Sequence, residues 1–365
     1  MLTFLSAGLV TGEVYEELPL RIGDKLSRFM MDVGSGSVDL PIRDTACPPD
    51  WIDHTTPWRV LFVAVDERAR VIWAGIPTRR IRNPLTHVVQ MPCVTVEGYL
   101  RQRHVPNMSF SNADQTGDIT RALAGIAGDA HGVGLEFDTP FSGVNRDRDY
   151  HADEGGTVLA RLQELSQVID GFEWTIDVNW ADGSQTAFTK TFRTGYPHLG
   201  RVTNAPDPVF EMPGGLVSFT FEESWNDDDA GTHVIATGDG EGESKTISTP
   251  VIDTVREGAG WPRLEVRRSF SSVTRQDTIN SHAQSVAAET FGGTELITLE
   301  SRTDAAPEFG EWGLGDSVRI EIDTDELRME QIMRVVGWNL SHAEGTVEPV
   351  VARIRTPMDE DWIWE

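Results

Sequence analysis

The feature that most constrains the fold is a regular alternation of apolar and polar residues over positions 172–180. Its apolar members are Phe172, Trp174, Ile176, Val178 and Trp180. Because successive side chains of a β-strand point to opposite faces, this pattern predicts a strand with one face in a core and the other in water. The pair Asp182-Gly183 then precedes a second strand-like run with Phe188 and Phe192, so we predict a β-hairpin.

Further stretches show the same signature. Val217, Phe219 and Phe221 alternate with Ser218, Thr220 and Glu222, and Val318, Ile320 and Ile322 alternate with Arg319, Glu321 and Asp323. Residues 60–66 and 71–76 are typical of another hairpin, across a short charged loop. Strands therefore dominate both ends of the chain.

Apolar residues recur at helical spacing over residues 119–130, 159–169 and 279–290. A glycine follows each segment, as is common at helix C-termini. Two of these helices lie close together in the middle of the chain, which is not the alternating βαβ pattern of a nucleotide-binding sheet. The predicted fold class is mainly β with a few helices, an α+β protein.

The distribution of elements divides the chain into three predicted parts. Residues 1–105 form a first β domain, and residues 106–200 form a mixed segment of helices and strands. Residues 201–365 form a second β domain with one helix and an acidic, aromatic C-terminal tail. Strands from distant parts of the sequence can complete either β domain.

The charge balance disfavours one large class of partner. The chain has 58 acidic and 31 basic residues, which gives a formal net charge of −27. Proteins bind duplex nucleic acid mainly by neutralising phosphates with cations, so general duplex binding is disfavoured. Two interpretations of the acidity stay open: a solubilising surface, or a passage lined by acids.

Membrane and redox signals are weak. No run of about 18 apolar residues occurs, so we expect no membrane span and no stable membrane insertion. Residues 1–10 lack a basic start, and we expect no signal peptide. Cys47 and Cys93 form no CxxC pair, which leaves either buried thiols or one disulfide.

Motifs for catalysis or cofactor binding are missing from the sequence. The nine histidines show neither HExxH nor HxH spacing, and we expect each at the surface or hydrogen-bonded. There is no G-x-S-x-G elbow and no P-loop. Acids cluster near His151, at Asp147, Asp149, Asp153 and Glu154, where we expect solvated loops. We therefore predict a protein that is not an enzyme, without catalytic residues, metal or cofactor.

One candidate set for contacts with other subunits is basic. Positive charge concentrates at Arg79, Arg80, Arg82, Arg101 and Arg103. These positions lack the interleaved aromatic residues of a nucleic-acid patch. Contact with an acidic neighbouring subunit is therefore favoured.

A second candidate set is aromatic. Trp362 and Trp364 stand in the acidic segment 358–365, which suggests docking onto a partner or back onto the protein. Other tryptophans, such as Trp174 and Trp180, lie on strand faces typical of a core. The total of 11 tryptophans keeps carbohydrate binding open as an alternative.

An ordered set of phrases resembles siphovirus minor tail proteins from actinobacteriophages. In chain order the phrases are residues 29–41, 71–77, 94–103, 157–172, 260–265 and 314–318. The first resembles the family's "ND-x-GS … L-P" phrase, and the second resembles "W-x-G-x-I". Residues 94–103 resemble "V-x-x-x-G-x-L-x-x-R", and residues 157–172 resemble the opening of a "T-V-L-x-x-L-x-x-L … G-F-x-W" helix-to-strand phrase. The resemblance runs over nearly the whole chain.

This resemblance implies a structural tail hub. Such hubs are homotrimers with two tube-like β-barrel or sandwich domains in each chain, and the ring joins the sixfold tail tube to the threefold tip around the DNA channel. The implied partners are a distal tail protein ring, a tape measure protein and tail-tip or fibre proteins, with DNA only in passage. The implied location is the tail tip of the virion, after assembly in the host cytoplasm.

Two rival functions belong to other classes. One is a tail-tip hydrolase of the cell wall, which needs convergent acid and base groups in a cleft. The other is a carbohydrate-binding receptor module, which needs exposed tryptophan or tyrosine faces.

Overall fold

The computed structural model describes residues 2–83, 85–225, 230–240, 245–270, 273–325, 328–341 and 345–353. Over these residues the chain is mainly β with a few helices, which confirms the predicted fold class. Its strands are β1 (Thr3–Gly8), β2 (Val14–Leu18), β3 (Arg21–Phe29), β4 (Ser35–Pro41), β5 (Val60–Val65), β6 (Val71–Pro77), β7 (Ile81–Asn83), β8 (Val88–Val94), β9 (Met108–Asp114), β10 (Leu135–Asp138), β11 (Asn145–Tyr150), β12 (Glu173–Trp180), β13 (Phe188–Gly195), β14 (Val209–Met212), β15 (Leu216–Ser224), β16 (His233–Thr237), β17 (Val251–Ile252), β18 (Glu265–Ser269), β19 (Thr294–Arg302), β20 (Ser317–Asp323), β21 (Arg328–Ser341) and β22 (Thr346–Arg353).

A 14-stranded sheet combines both ends of the chain. Its main path is β15-β19-β22-β21-β3-β4-β8-β6-β5-β1-β2, with β14, β20 and β7 attached beside it. The junction is the antiparallel pair of β3 and β21, in which Phe29 lies opposite Gly337. One apolar core packs on this sheet and takes buried side chains from both ends, among them Leu26, Trp73 and Ile320. The division into domains 1–105, 106–200 and 201–365 stays a prediction.

Smaller sheets and helices fill the middle of the chain. The smaller sheets have the orders β10-β13-β12, β11-β9 and β17-β16-β18. The α-helices are α1 (Arg121–Ala127), α2 (Val158–Ser166), α3 (Thr254–Gly258) and α4 (Gln276–Thr290), with 3-10 turns at Asp53–Thr55, Val96–Gln102 and Ala152–Glu154 and a π-helical turn at Gln115–Thr120. The three predicted helices correspond to α1, α2 and α4. A second core joins α1 and α2 to β12 and β13, and a third lies under α4.

The predicted hairpins are present. β12 pairs antiparallel with β13, and β5 pairs with β6. Trp174 and Ile176 on β12 are buried, and so are Val318, Ile320 and Ile322 on β20. Both cysteines are free thiols; Cys93 is buried and Cys47 is half-buried.

The alternating pattern predicts the wrong exposure for the side chain of Val217. The sequence places this residue with Phe219 on an inward face, but its side chain is 52% exposed. The cause is a bulge in β15: Leu216 pairs with Ser301 and Ser218 pairs with Glu300, so Val217 is the extra residue between them. A bulge of this kind shifts the strand by one residue and reverses the faces that follow.

The expectation that the polar face of β12 meets water is wrong for most of that face, and only Asn179 at its end is exposed. Thr175 on this face is only 2% exposed, and the side chains of Glu173 and Asp177 are 14% and 19% exposed. The face packs against charged residues of the large sheet. Period-two patterning identifies which residues share a face, but it does not say that a polar face stays in water.

Arg334 on β21 makes one of these contacts. Its Nη1 and Nη2 each donate to one carboxylate oxygen of Glu173, both at 2.6 Å. Nη2 also donates to the carbonyl of Leu199 at 2.8 Å, and Nε donates to the carbonyl of Gly315 at 3.1 Å. The Arg334 side chain is 5% exposed. This is the bidentate geometry in which arginine–carboxylate pairs are strongest.

Arg28 on β3 makes the second contact. Its Nη2 donates to Asp177 Oδ1 at 2.5 Å and to the carbonyl of Ile176 at 2.8 Å. Arg193 Nη1 donates to Asp177 Oδ2 at 2.6 Å. Burial raises the pKa of Asp177, but Arg28 and Arg193 together hold it below its usual range. The hairpin of β12 and β13 is thus tied to the large sheet at two charged contacts.

We expect Arg334→Met to destabilise the protein by about 3–5 kcal/mol, because Glu173 would remain buried without its cation. The double variant Arg334→Met with Glu173→Gln should recover part of this loss, since no uncompensated charge remains. Thermal unfolding followed by circular dichroism measures both. The matched control is Arg328→Met on the same strand, whose side chain is 84% exposed and pairs with Asp323; it should change stability little. Equal losses for Arg334 and Arg328 would contradict this account.

Candidate functional site

The five candidate arginines contact two different sets of neighbours. Arg80 Nη1 donates to the carbonyl of Ile52 at 2.9 Å and to Thr55 Oγ1 at 3.2 Å. Arg82 lies over the ring of Trp51, with 5.0 Å between the guanidinium carbon and the ring centroid. Arg79 is exposed in the connection between β6 and β7. Arg80 and Arg82 therefore border the turn that contains Trp51 and Ile52.

Arg101 and Arg103 lie at the end of the 3-10 turn Val96–Gln102. Arg103 Nη2 donates to Asp129 Oδ2 at 2.6 Å, and Arg101 Nη2 lies 3.6 Å from Asp32 Oδ1. The hydrogen bonds that Arg103 donates to Asp129 raise the pKa of Arg103 above its usual range and lower the pKa of Asp129 below its usual range. These two cations are compensated within the chain. A role of all five arginines at an interface stays a prediction.

Trp362 and Trp364 lie outside the described residues. Of the other tryptophans, Trp174 is buried as predicted, and Trp180 is half-buried with its indole N–H donating to the carbonyl of Ala69 at 2.7 Å. The rings of Trp225 and Trp261 lie 4.5 Å apart, and Arg256 lies over both. This guanidinium covers ring faces that a sugar would need for stacking.

Asp147 and Asp149 near His151 are exposed, as expected, but they lie on a strand and not in a loop. Both lie on β11, where Asp147 Oδ1 accepts from the backbone N–H of Asn112 at 2.8 Å and Asp149 Oδ1 accepts from Ser109 Oγ at 2.5 Å. They lie on a strand because residues 145–150 pair with β9. The bond from Asn112 and the ion pair with Arg275 hold the pKa of Asp147 below its usual range. An ionised, paired carboxylate is a poor general acid.

A cavity of about 70 Å³ lies between β11, α2 and α4. His282 on α4 lines it and is 2% exposed, and its Nδ1 has no hydrogen-bond partner among the described residues. Its ring stacks on Phe270 with 3.9 Å between centroids. Burial lowers the pKa of His282 to about 4, and the charges of Arg148 and Arg146 contribute. The expectation of a surface or hydrogen-bonded histidine is therefore wrong for His282. The stacking on Phe270 that replaces a hydrogen bond has no signal in the sequence.

Two further properties concern the described part of the chain alone. No three of its histidines, cysteines and acids are grouped so that they could hold a metal ion. None of its helices is long and apolar enough to cross a membrane.

Comparison with known proteins identifies the fold. No model of a known protein family and no curated protein matches the sequence. Among solved structures, the 43 kDa tail protein of prophage MuSo2 from Shewanella oneidensis superposes with a TM-score of 0.61 at 12% identity, over 96% of this chain and 98% of that one. The tail protein from Neisseria meningitidis MC58 superposes with a TM-score of 0.59 at 12% identity, over 96% of each chain.

A third structure extends the comparison. The prophage tail protein gp18 from Listeria monocytogenes EGD-e superposes with a TM-score of 0.50 at 11% identity, over 96% of this chain and 94% of that one. Each match spans nearly the whole of both chains. This chain therefore has the fold of phage tail proteins.

The buried His282 should make stability depend on pH. Its pKa is lower in the folded than in the unfolded chain, so the unfolded state binds a proton first as the pH falls below about 6.5. We expect the melting temperature to drop by about 2 °C between pH 7.5 and 5.5 from this group alone. In His282→Leu this part of the drop should disappear. His151→Gln, at an exposed position, is the control. An unchanged pH dependence in His282→Leu would contradict the prediction.

Proposed function

We propose that this chain is a structural subunit of a phage tail. The observation that carries the proposal is the match of nearly the whole chain to the tail proteins of Shewanella and Neisseria. The absence of recognised catalytic motifs in the sequence also favours a structural role.

The finer proposal is a hub at the tail tip, of the siphovirus minor tail type. Three copies would form a ring, each contributing two tube-like β domains, between the sixfold tail tube and the threefold tip. The proposed neighbours are a distal tail protein ring, a tape measure protein and tail-tip or fibre proteins. The ordered phrases of the sequence support this version. The virion would acquire the ring during assembly in the host cytoplasm.

We propose that much of the excess acidic charge lines the central channel of the ring. Three chains carry three times −27, or −81 in formal charge. Acids on a channel wall repel phosphates and keep passing DNA from adhering. Salt screens exposed charges over about 8 Å at physiological ionic strength, so only residues at the wall contribute.

We expect a cryo-EM map of the assembled tail tip to contain three copies of this chain around the axis. The contacts between copies should join different faces of neighbouring chains, as in any closed ring of heterologous contacts. In such a map, Asp and Glu should outnumber Lys and Arg on the axis-facing surface.

Two, five or six copies would refute the threefold ring. A neutral or basic channel wall would refute the role of the acids and leave the ring intact. A monomer in dilute solution contradicts neither, because assembly can require the neighbouring tail proteins.

The rival hydrolase predicts release of sugars or peptides from purified bacterial peptidoglycan, whereas we expect none. Burial raises the pKa of Asp39 on β4, which makes it the first carboxyl to test as a general acid. The assay compares the purified chain with Asp39→Asn. Release that persists through purification and disappears in this or another single Asp or Glu variant would establish the hydrolase instead.

A further inference from the structure

A basic surface lies where the connection after β6 meets the turn before β5. We define the arginine–tryptophan surface as Trp51, Ile52, Arg79, Arg80, Ile81 and Arg82. The hydrogen bond from Arg80 to the carbonyl of Ile52 and the contact of Arg82 with the Trp51 ring join its two segments. Ile52 is 44% exposed and Ile81 is 41% exposed. The surface thus offers cations beside exposed apolar side chains.

The cations of this surface differ from Arg101 and Arg103. Among the described residues, Arg79, Arg80 and Arg82 form no ion pair with a carboxylate, whereas Arg101 and Arg103 do. Arg80 instead uses a carbonyl and a hydroxyl, which are neutral acceptors. Burial and the neighbouring Arg82 hold the pKa of Arg80 below its usual range, although Asp53 opposes this. Three unpaired arginines in a chain with 58 acids and 31 bases indicate a surface that receives an anionic partner.

The sequence contains a segment of matching chemistry. Residues 358–365 read Met-Asp-Glu-Asp-Trp-Ile-Trp-Glu, with four carboxylates, two indoles and no cation. The carboxylates suit the guanidinium groups, and the indoles suit Ile52 and Ile81 and the edge of Trp51. Arginine and tryptophan are the residues that most often dominate binding energy at interfaces. A DNA backbone would supply negative charge but would not bury the exposed side chains of Ile52 and Ile81.

Strand register indicates that the segment comes from another copy. β7 pairs with Val88–Gln90 of β8, and this part of β8 pairs with β4. The same part of β4 pairs with the Arg21 end of β3, so β7 lies at that end of the sheet. β22 begins opposite Ser341 of β21, which itself lies opposite Lys25 of β3. From there β22 runs past the level of Phe29, at the far end of β3, and ends at Arg353. The chain therefore leaves β22 toward the end of the sheet opposite to β7, roughly 30 Å away along the strands at about 3.3 Å per residue. Its own segment would have to double back across several strands.

We propose that the arginine–tryptophan surface of one copy binds the acidic, tryptophan-bearing segment 358–365 of a second copy. This head-to-tail contact joins two different surfaces, so it is heterologous and adds one copy after another until a ring closes. The proposal of this contact does not depend on a role in a phage tail, and it applies to any assembly of this chain.

The first test is binding of a fluorescein-labelled peptide with the sequence of residues 356–365. The receptor is the full chain with Trp362→Ala and Trp364→Ala, so that its own segments do not compete. Adding Arg79→Glu and Arg82→Glu should weaken binding at least tenfold, as measured by fluorescence anisotropy. A peptide with Lys at positions 359–361 should instead prefer the Glu-substituted receptor.

The matched control reverses two other exposed arginines, Arg263→Glu and Arg267→Glu, which lie on and beside β18. This control should bind the peptide as the parent does. Equal weakening in the control would show a nonspecific charge effect and overturn the assignment of the surface. Failure of the peptide to bind the parent would overturn the proposal altogether. Circular dichroism melts of every variant identify any loss of folding.

The second test distinguishes a second copy from the same chain. A photo-crosslinking residue at Ile363, in a mixture of ¹⁴N- and ¹⁵N-labelled full chains, should capture residues 51–55 or 79–85. We expect crosslinked peptide pairs of mixed isotope, with a yield that falls when Arg79→Glu and Arg82→Glu are introduced. Pairs of a single isotope would place the contact within one chain, and capture of DNA or another protein instead would assign the surface to that partner.

Discussion

The architecture depends on charges that are largely withdrawn from water between the large sheet and the β12–β13 hairpin. Arg334 and Arg28 belong to the large sheet, and they contact Glu173 and Asp177 on one face of β12. Removing water from these groups is costly. The bidentate geometry at Arg334, the second arginine at Asp177 and the added carbonyl contacts offset this cost. Apolar packing tolerates sliding by a fraction of a residue, but a paired guanidinium does not. The contacts therefore fix the orientation of the hairpin against the sheet.

Much of the local structure follows from the sequence because it rests on short-range periodicity. The alternation at Trp174 and at Ile320 predicts buried strand faces, and the helical spacing predicts α1, α2 and α4. The failures share one physical cause. Glu173 is buried and Val217 is exposed because of partners elsewhere in the chain, the first through Arg334 and the second through a bulge against β19. Neither partner is visible within a local window.

The candidate surfaces illustrate the same limit. The sequence identifies Arg79, Arg80, Arg82, Arg101 and Arg103 as one basic group, but their contacts differ. Arg103 is neutralised by Asp129, whereas Arg80 and Arg82 border Trp51 and Ile52. The aromatic partner of Arg82 is Trp51, which comes from a turn some thirty positions earlier in the chain. Only the fold brings them together, so composition alone could not distinguish a paired arginine from an available one.

The pairing of β3 with β21 has a consequence for biosynthesis. A ribosome adding about 5–20 residues per second emits β3 roughly 15–60 s before β21. During that interval one edge of β3 has no strand beside it, and exposed edges promote aggregation of nascent chains. The sequence of β3 counters this hazard. It carries Arg21, Asp24, Lys25 and Arg28, and its register with β4 is interrupted between Ile22 and Leu26. Charges and an irregular edge are the means by which proteins keep an unfinished sheet from recruiting foreign strands.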